Sequence, residues 1–160
     1  MKVLVMYYSK TGNTEKLAKE VAEGVKNVED VECVVKQAVN VTKDDLLSSN
    51  GVIVGSPCYF GTMAAEVKEV LDKFVIIRKQ MENKVGAAFA TSGGPSGGKE
   101  TTLISILQAL LIYGMIVVGD PMDATGHYGT ASAGMPDEKD AENARKLGQR
   151  VSNVVKKLGD

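Results

Sequence analysis

The sequence predicts an α/β protein built on a doubly wound, five-stranded parallel sheet with helices on both faces. Three observations carry that prediction. Several short segments are apolar throughout and rich in β-branched residues, as strands covered on both faces must be. Most are followed by a stretch whose apolar residues recur at helical spacing. Polar, glycine-bearing loops follow the first, third and fourth predicted strands, at the edge where sheets of this kind place their sites.

The first strand is Val3 to Tyr8, and Thr14 to Val28 sets Leu17, Val21 and Val25 on one helical stripe. Val31 to Val35 is a second strand, and Asn40 to Asn50 a polar loop with a short turn of helix. Val52 to Val54 is a third strand, ended by Gly55-Ser56-Pro57. From Met63 to Ile77 the stripe Val67, Val70, Leu71 and Phe74 marks a helix, and Val85 to Ala90 a fourth strand. Thr101 to Tyr113 is a strongly apolar helix, Met115 to Val118 the fifth strand, and Ala141 to Leu158 a closing amphipathic helix. Repeated crossovers of this length are right-handed and require a parallel sheet. No linker interrupts the pattern, so residues 1–160 are expected to form one domain.

Composition narrows the function classes. The chain is 44% hydrophobic and 24% charged, as soluble globular proteins are, and no apolar run approaches the roughly 18 residues of a membrane span. Its net charge of −1 offers neither a basic footprint for nucleic acid nor an acidic surface for a basic partner. The first strand begins at Lys2, which leaves no room for a leader peptide. Two cysteines at unrelated positions make no disulfide framework, so a cytoplasmic location is expected.

Candidate chemistry lies in the three loops. Ser9-Lys10-Thr11-Gly12-Asn13-Thr14 combines hydroxyls, an amide and a glycine ahead of a helix, which suits a loop that turns backbone NH groups onto a phosphate. The plain alternative is a strand-to-helix turn capped by Asn13 or Thr14. Pro57-Cys58-Tyr59-Phe60-Gly61 brings two aromatics, and Thr91-Ser92-Gly93-Gly94-Pro95-Ser96-Gly97 brings close-packed backbone. Together the loops describe a site for a planar ring with a phosphorylated tail, which flavin mononucleotide (FMN) fits.

These residues resemble a known family. Ser9 to Thr14 looks like the phosphate loop of flavodoxins, and Gly55-Ser56-Pro57-Cys58-Tyr59-Phe60-Gly61 with Met63 is similar to the flavin loop of the flavodoxin-like NAD(P)H:quinone oxidoreductases of WrbA type. Phe89 to Gly98, Gly114 to Val118 and Tyr128-Gly129-Thr130 resemble further parts of that family. The resemblance implies a flavodoxin-like sheet of order 2-1-3-4-5. It also implies FMN with its phosphate on Ser9 to Thr14, its isoalloxazine against Pro57 to Gly61, and its pyrimidine edge on Thr91 to Gly97. NAD(P)H or a redox protein would be the donor, a small quinone-like molecule the acceptor, and the chain a homo-oligomer.

Departures from the pattern bear on function. The stretch Ala38 to Asn50 lacks the insertion that contributes to that family's assembly, and Tyr113 stands where it tends to place a histidine beside the flavin. A one-electron carrier benefits from aromatic walls on both ring faces and from acidic charge. Tyr59 and Phe60 wall one face, whereas Thr91 to Gly98 holds no aromatic and no acid, leaving the other open unless Tyr113 or Tyr128 covers it. That favours a two-electron oxidoreductase over a flavodoxin-type carrier, with the chemistry carried by the flavin. A flavin-bound protein without turnover is a third class.

Other readings are weaker. Gly93 to Lys99 nearly matches a nucleotide phosphate loop, but Glu100 replaces the magnesium-binding hydroxyl. A phospho-receiver needs acids where Tyr8-Ser9 and Gly55-Ser56 stand. Cys58 has neither a following arginine nor a partner cysteine at redox spacing, and reads as a small residue whose backbone meets the flavin. No metal site is expected, since Met6, Met63, Met115 and Met122 read as packing residues. His127, the single histidine, is either a solvent-exposed loop residue or, with Tyr128, a proton donor reaching over the open ring face.

Overall fold

The computed structural model describes residues 1–159. Strand β1 (Lys2–Tyr7) opens the chain, and helix α1 (Asn13–Lys26) returns it to β2 (Glu32–Gln37). After a single 3-10 turn (Ala38–Asn40), α2 (Lys43–Ser48) leads to β3 (Gly51–Tyr59) and the short β4 (Thr62–Met63). Helix α3 (Ala65–Lys73) and a 3-10 segment (Val75–Met81) precede β5 (Val85–Ser92). Then come α4 (Lys99–Ile112), β6 (Ile116–Val117), β7 (Thr130–Ala133) and α5 (Glu138–Gly159).

The sheet order is β2-β1-β3-β5-β6, with β7 also paired to β5 and β4 hairpinned onto β3. Apart from that hairpin the strands are parallel. This is the expected flavodoxin-like order with one change at its edge. The fifth position is split: Ile116 and Val117 pair with Val85 and Gly86, residues 118–129 leave the sheet, and Thr130 to Ala133 return beside Phe89 to Ser92. A strand over Met115 to Val118 is therefore one residue too long at each end and misses its own second half.

Two layers of core follow from the alternation of strand side chains. Leu4, Met6, Val52, Val54, Ala88 and Ala90 face α3 and α4, while Val3, Val5, Ile53, Val85, Ala87 and Phe89 face α1 and α5. Helix α3 stops at Lys73, short of the expected Ile77, because Val75–Met81 tighten into 3-10 geometry that buries Ile77 and Met81. Beta-strand β3 runs past Gly55-Ser56-Pro57, since Ser56 and Pro57 hold ladder positions opposite Ala90 and Thr91. Among the described residues, no helix is long and apolar enough to cross a membrane.

Candidate functional site

The three loops meet at the carboxyl ends of β1, β3 and β5. The first leaves β1 at Tyr7, and the Tyr8 NH donates to the Gly55 carbonyl at 3.1 Å, holding it against β3. Neither Asn13 nor Thr14 caps α1, contrary to the simple-turn expectation. The cap is Gly12, at φ +96° with no side-chain cap bond, and its own NH donates to Ser9 Oγ at 3.1 Å. A left-handed cap suits glycine and leaves the first-turn NH groups facing outward without an intrahelical partner. Lys10, Thr11 and Gly12 are exposed, Ser9 and Asn13 half-buried. Thr14 is buried, and its hydroxyl lies 2.8 Å from that of Thr91.

The second loop is a tight hairpin. Cys58 pairs with Met63 and Tyr59 with Thr62, leaving Phe60 (φ +51°) and Gly61 (φ +80°) as a two-residue turn with both central residues left-handed. Phe60 is thrust wholly into solvent and Tyr59 is partly exposed. The buried Ser56 hydroxyl accepts from the Ala64 NH at 2.8 Å and fixes the return strand. At the base of the hairpin the Cys58 thiol donates to the Gly97 carbonyl at 2.8 Å, tying the second loop to the third.

In the third loop the Ser92 hydroxyl and the Gly97 NH both donate to the Gly94 carbonyl, at 2.7 and 3.0 Å. Thr91 and Ser92 are buried, so their side chains brace the loop from beneath, whereas Gly93, Pro95, Ser96 and Gly97 are exposed and Gly94 half-buried. Gly98, at φ +85°, caps α4 with no side-chain bond. The loop carries no aromatic and no acid before Glu100.

A fourth segment joins these loops without a sequence signal of its own. After β7 the Gly134 NH donates to the Ser92 carbonyl at 2.7 Å, and Lys16 Nζ donates to the Pro136 carbonyl at 2.8 Å. Met135 between them is largely exposed. Beside the hairpin, the neighbouring Glu66 carboxylate raises the Tyr8 phenol above its ordinary pKa. Signals for both existed only as proximity to Ser92 and Tyr59, which needs the fold.

The structure places the remaining sequence candidates differently. Tyr113 is 6% exposed at the far end of α4, its hydroxyl donating to the Leu71 carbonyl, and burial pushes its phenol up to about 12. It is a core residue near the opposite edge of the sheet, because β6 begins beside Val85, at the start of β5. His127 (φ +67°) and Tyr128 are exposed on the excursion between β6 and β7. They precede β7, whose first residue, Thr130, stands level with Phe89, Gly55 and Tyr7.

The remaining surface fits a flavin mononucleotide. A Cβ added at Gly12, Gly93 or Gly94 would meet no atom within 4 Å, so the backbone of the first and third loops faces open space. Partial positive charge from α1 falls in front of Gly12, where a phosphate is favoured. Exposed Tyr59 and Phe60 offer apolar area to a ring.

A flavodoxin-like sheet carrying a polar loop ahead of α1, an aromatic hairpin and a glycine-rich loop at one edge is the architecture of a flavoprotein. The chain belongs to the NADPH-dependent FMN reductase family, which it matches over residues 24–129. It is thus an FMN-binding oxidoreductase. It is 35% identical to an NAD(P)H dehydrogenase (quinone) of Archaeoglobus fulgidus, with 98% of each chain covered. It is also 38% identical to a flavodoxin of Aquifex aeolicus, across 96% of this chain and 86% of that one. Among solved structures it is similar to a flavodoxin, WrbA-like protein from Agrobacterium tumefaciens, at a TM-score of 0.83, 25% identity and 98% coverage of both chains.

Proposed function

We propose that this oxidoreductase transfers two electrons from NAD(P)H, through FMN, to a quinone or similar small acceptor. The observation that carries the reading is the asymmetry of the loops. Tyr59 and Phe60 stand on the hairpin alone, and the third loop opposes them with glycines, Pro95 and Ser96. One ring face is left for a nicotinamide or an acceptor to approach. FMN supplies the redox chemistry, and the chain supplies binding, orientation and electrostatics. Ser9 to Thr14 would hold the phosphate, Pro57 to Gly61 the ring, and the backbone of Gly93 to Gly97 its pyrimidine edge. NH groups there stabilise negative charge that develops on that edge as electrons arrive. The quinone-dehydrogenase relative supports the same acceptor class.

A second reading, a carrier passing single electrons between protein partners, is favoured by the flavodoxin relative and by the flavodoxin-type phosphate loop. Anaerobic mixing of the FMN-loaded protein with NADH or NADPH separates the two. Rapid loss of the flavin's visible absorbance, recovered on adding a benzoquinone, is expected. No reaction with either nucleotide, together with two well-separated one-electron steps in a redox titration, would establish the carrier instead.

A further inference from the structure

Three hydroxyls lie close together beneath the first turn of α1. Thr14 Oγ1 and Thr91 Oγ1 are 2.8 Å apart, and either one has the geometry to donate. Ser132 is the register partner of Thr91 on the adjoining strand. Ala90 and Ala131 pack into the core under α3 and α4, so alternation turns both Thr91 and Ser132 to the α1 side. Thr14, Thr91 and Ser132 are 2%, 4% and 1% exposed, and Ser132 Oγ has no hydrogen-bond partner among the described residues. A buried hydroxyl left unpaired is costly and calls for a reason.

The donor count supplies one. Each hydroxyl has a single proton. If Thr14 donates to Thr91, Thr14 shows only lone pairs to a phosphate, which is itself an acceptor. If Thr91 donates to Thr14, the Thr14 proton is free for the phosphate, and the lone pairs of Thr91 are free for Ser132. Adjacent strands lie about 4.8 Å apart, so a χ1 rotation of Ser132 closes that last step. Each bond in such a chain polarises the next.

We infer that Ser132, Thr91 and Thr14 form a directed hydroxyl chain that aims the Thr14 proton at the FMN phosphate, making Thr91 and Ser132 positioning residues for phosphate recognition. This rests on the flavin reading of the first loop. The chain has a consequence specific to the phosphate: riboflavin, with the same ring and no phosphate, gains nothing from it.

Calorimetric titration of the apoprotein with FMN and with riboflavin tests it. Thr91→Val is expected to weaken FMN binding roughly tenfold and Ser132→Ala severalfold, with riboflavin affinity changed less than about twofold. Thr91→Ser restores FMN binding. Thr14→Val combined with Thr91→Val binds FMN no more weakly than Thr14→Val alone. Equal losses for both flavins, or no loss from the folded Ser132→Ala and Thr91→Val proteins, overturn the chain while leaving FMN binding intact. Wild-type apoprotein that takes up neither flavin overturns the chain and the flavin reading together.

Discussion

Thr14 and Thr91, 77 residues apart in sequence, join the first loop to the third through one buried hydrogen bond of 2.8 Å. Removing either hydroxyl takes from the other the buried partner at 2.8 Å, which costs more than the bond is worth, whereas removing both is milder. Thr14→Val and Thr91→Val are each expected to lower the stability of the apoprotein by about 1–2 kcal/mol, with the double variant about 1 kcal/mol better than additive. A urea-denaturation double-mutant cycle measures it, and strict additivity would deny the bond any role in the folded apoprotein.

The two cysteines sit in unlike surroundings, Cys58 bonded to the Gly97 carbonyl among the loops and Cys33 within β2. Cys33, within β2, is buried enough that desolvation pushes its thiol up to about 11, where little thiolate forms near neutrality. Cys58 is partly exposed at the loops. Iodoacetamide at pH 8 is expected to label Cys58 in the folded apoprotein and to spare Cys33 until denaturant is added, as peptide mass spectrometry would show. Saturating FMN slows the labelling if the ring settles against the hairpin. Cys58→Ala loosens the third loop at a cost of about 0.5–1 kcal/mol, and Cys58→Ser recovers part of it.

Acid stability is expected to depend on Asp45. Burial pushes its carboxyl up, but the Lys36 ammonium, 2.8 Å from both oxygens, and the Thr42 hydroxyl and NH outweigh that and hold it at about 2 instead of 3.8. The pKa is depressed in the folded state, so its stabilisation is complete above about pH 4 and is lost as pH falls toward 2. Lys36 is one third exposed, so solvent screening limits the contribution to about 1–2 kcal/mol. Lys36→Met is expected to flatten the fall in stability between pH 4 and pH 2.5, followed by urea midpoints at each pH. An unchanged acid slope would show that other carboxylates dominate it.

Helices α1 and α5 touch through backbone at two glycines. A Cβ at Gly24 would stand 1.9 Å from the Arg145 carbonyl oxygen, and one at Gly148 2.1 Å from that of Val21. Helix propensity alone favours Gly→Ala by about 1 kcal/mol. Overpacking against backbone costs about 1–3 kcal/mol and more where nothing can move, so the clash wins. Gly24→Ala and Gly148→Ala are each expected to lower the thermal midpoint, and a rise in either would mean that the helices separate freely.

Local signals carried most of the architecture. Val3 to Tyr8 reads as a doubly covered strand and Leu17, Val21 and Val25 as a buried stripe because burial imposes periodicity on each element separately. The split of the last strand was hidden because Thr130 to Ala133 is only four residues long and carries two hydroxyls, with no apolar run to mark it. Tyr113 read as a ring neighbour through its likeness to a family position, yet the course of α4 takes it to the opposite edge. His127 and Tyr128 lie exposed on the excursion before β7, and no local pattern reports where along the sheet such an excursion returns.

The sequence by itself determined the layered α/β fold, the phosphate-like loop at Ser9 to Thr14, and the aromatic and glycine-rich loops that share its edge, all of them properties of a few neighbouring residues. Only the tertiary structure decided that Gly12 is the open cap of α1, that Cys58 meets Gly97, that Met135 borders the loops, and that Thr14 shares its hydroxyl with Thr91. Those relationships depend on which distant segments the sheet registers and the α1–α5 packing bring together, and residue spacing within one segment carries no record of them.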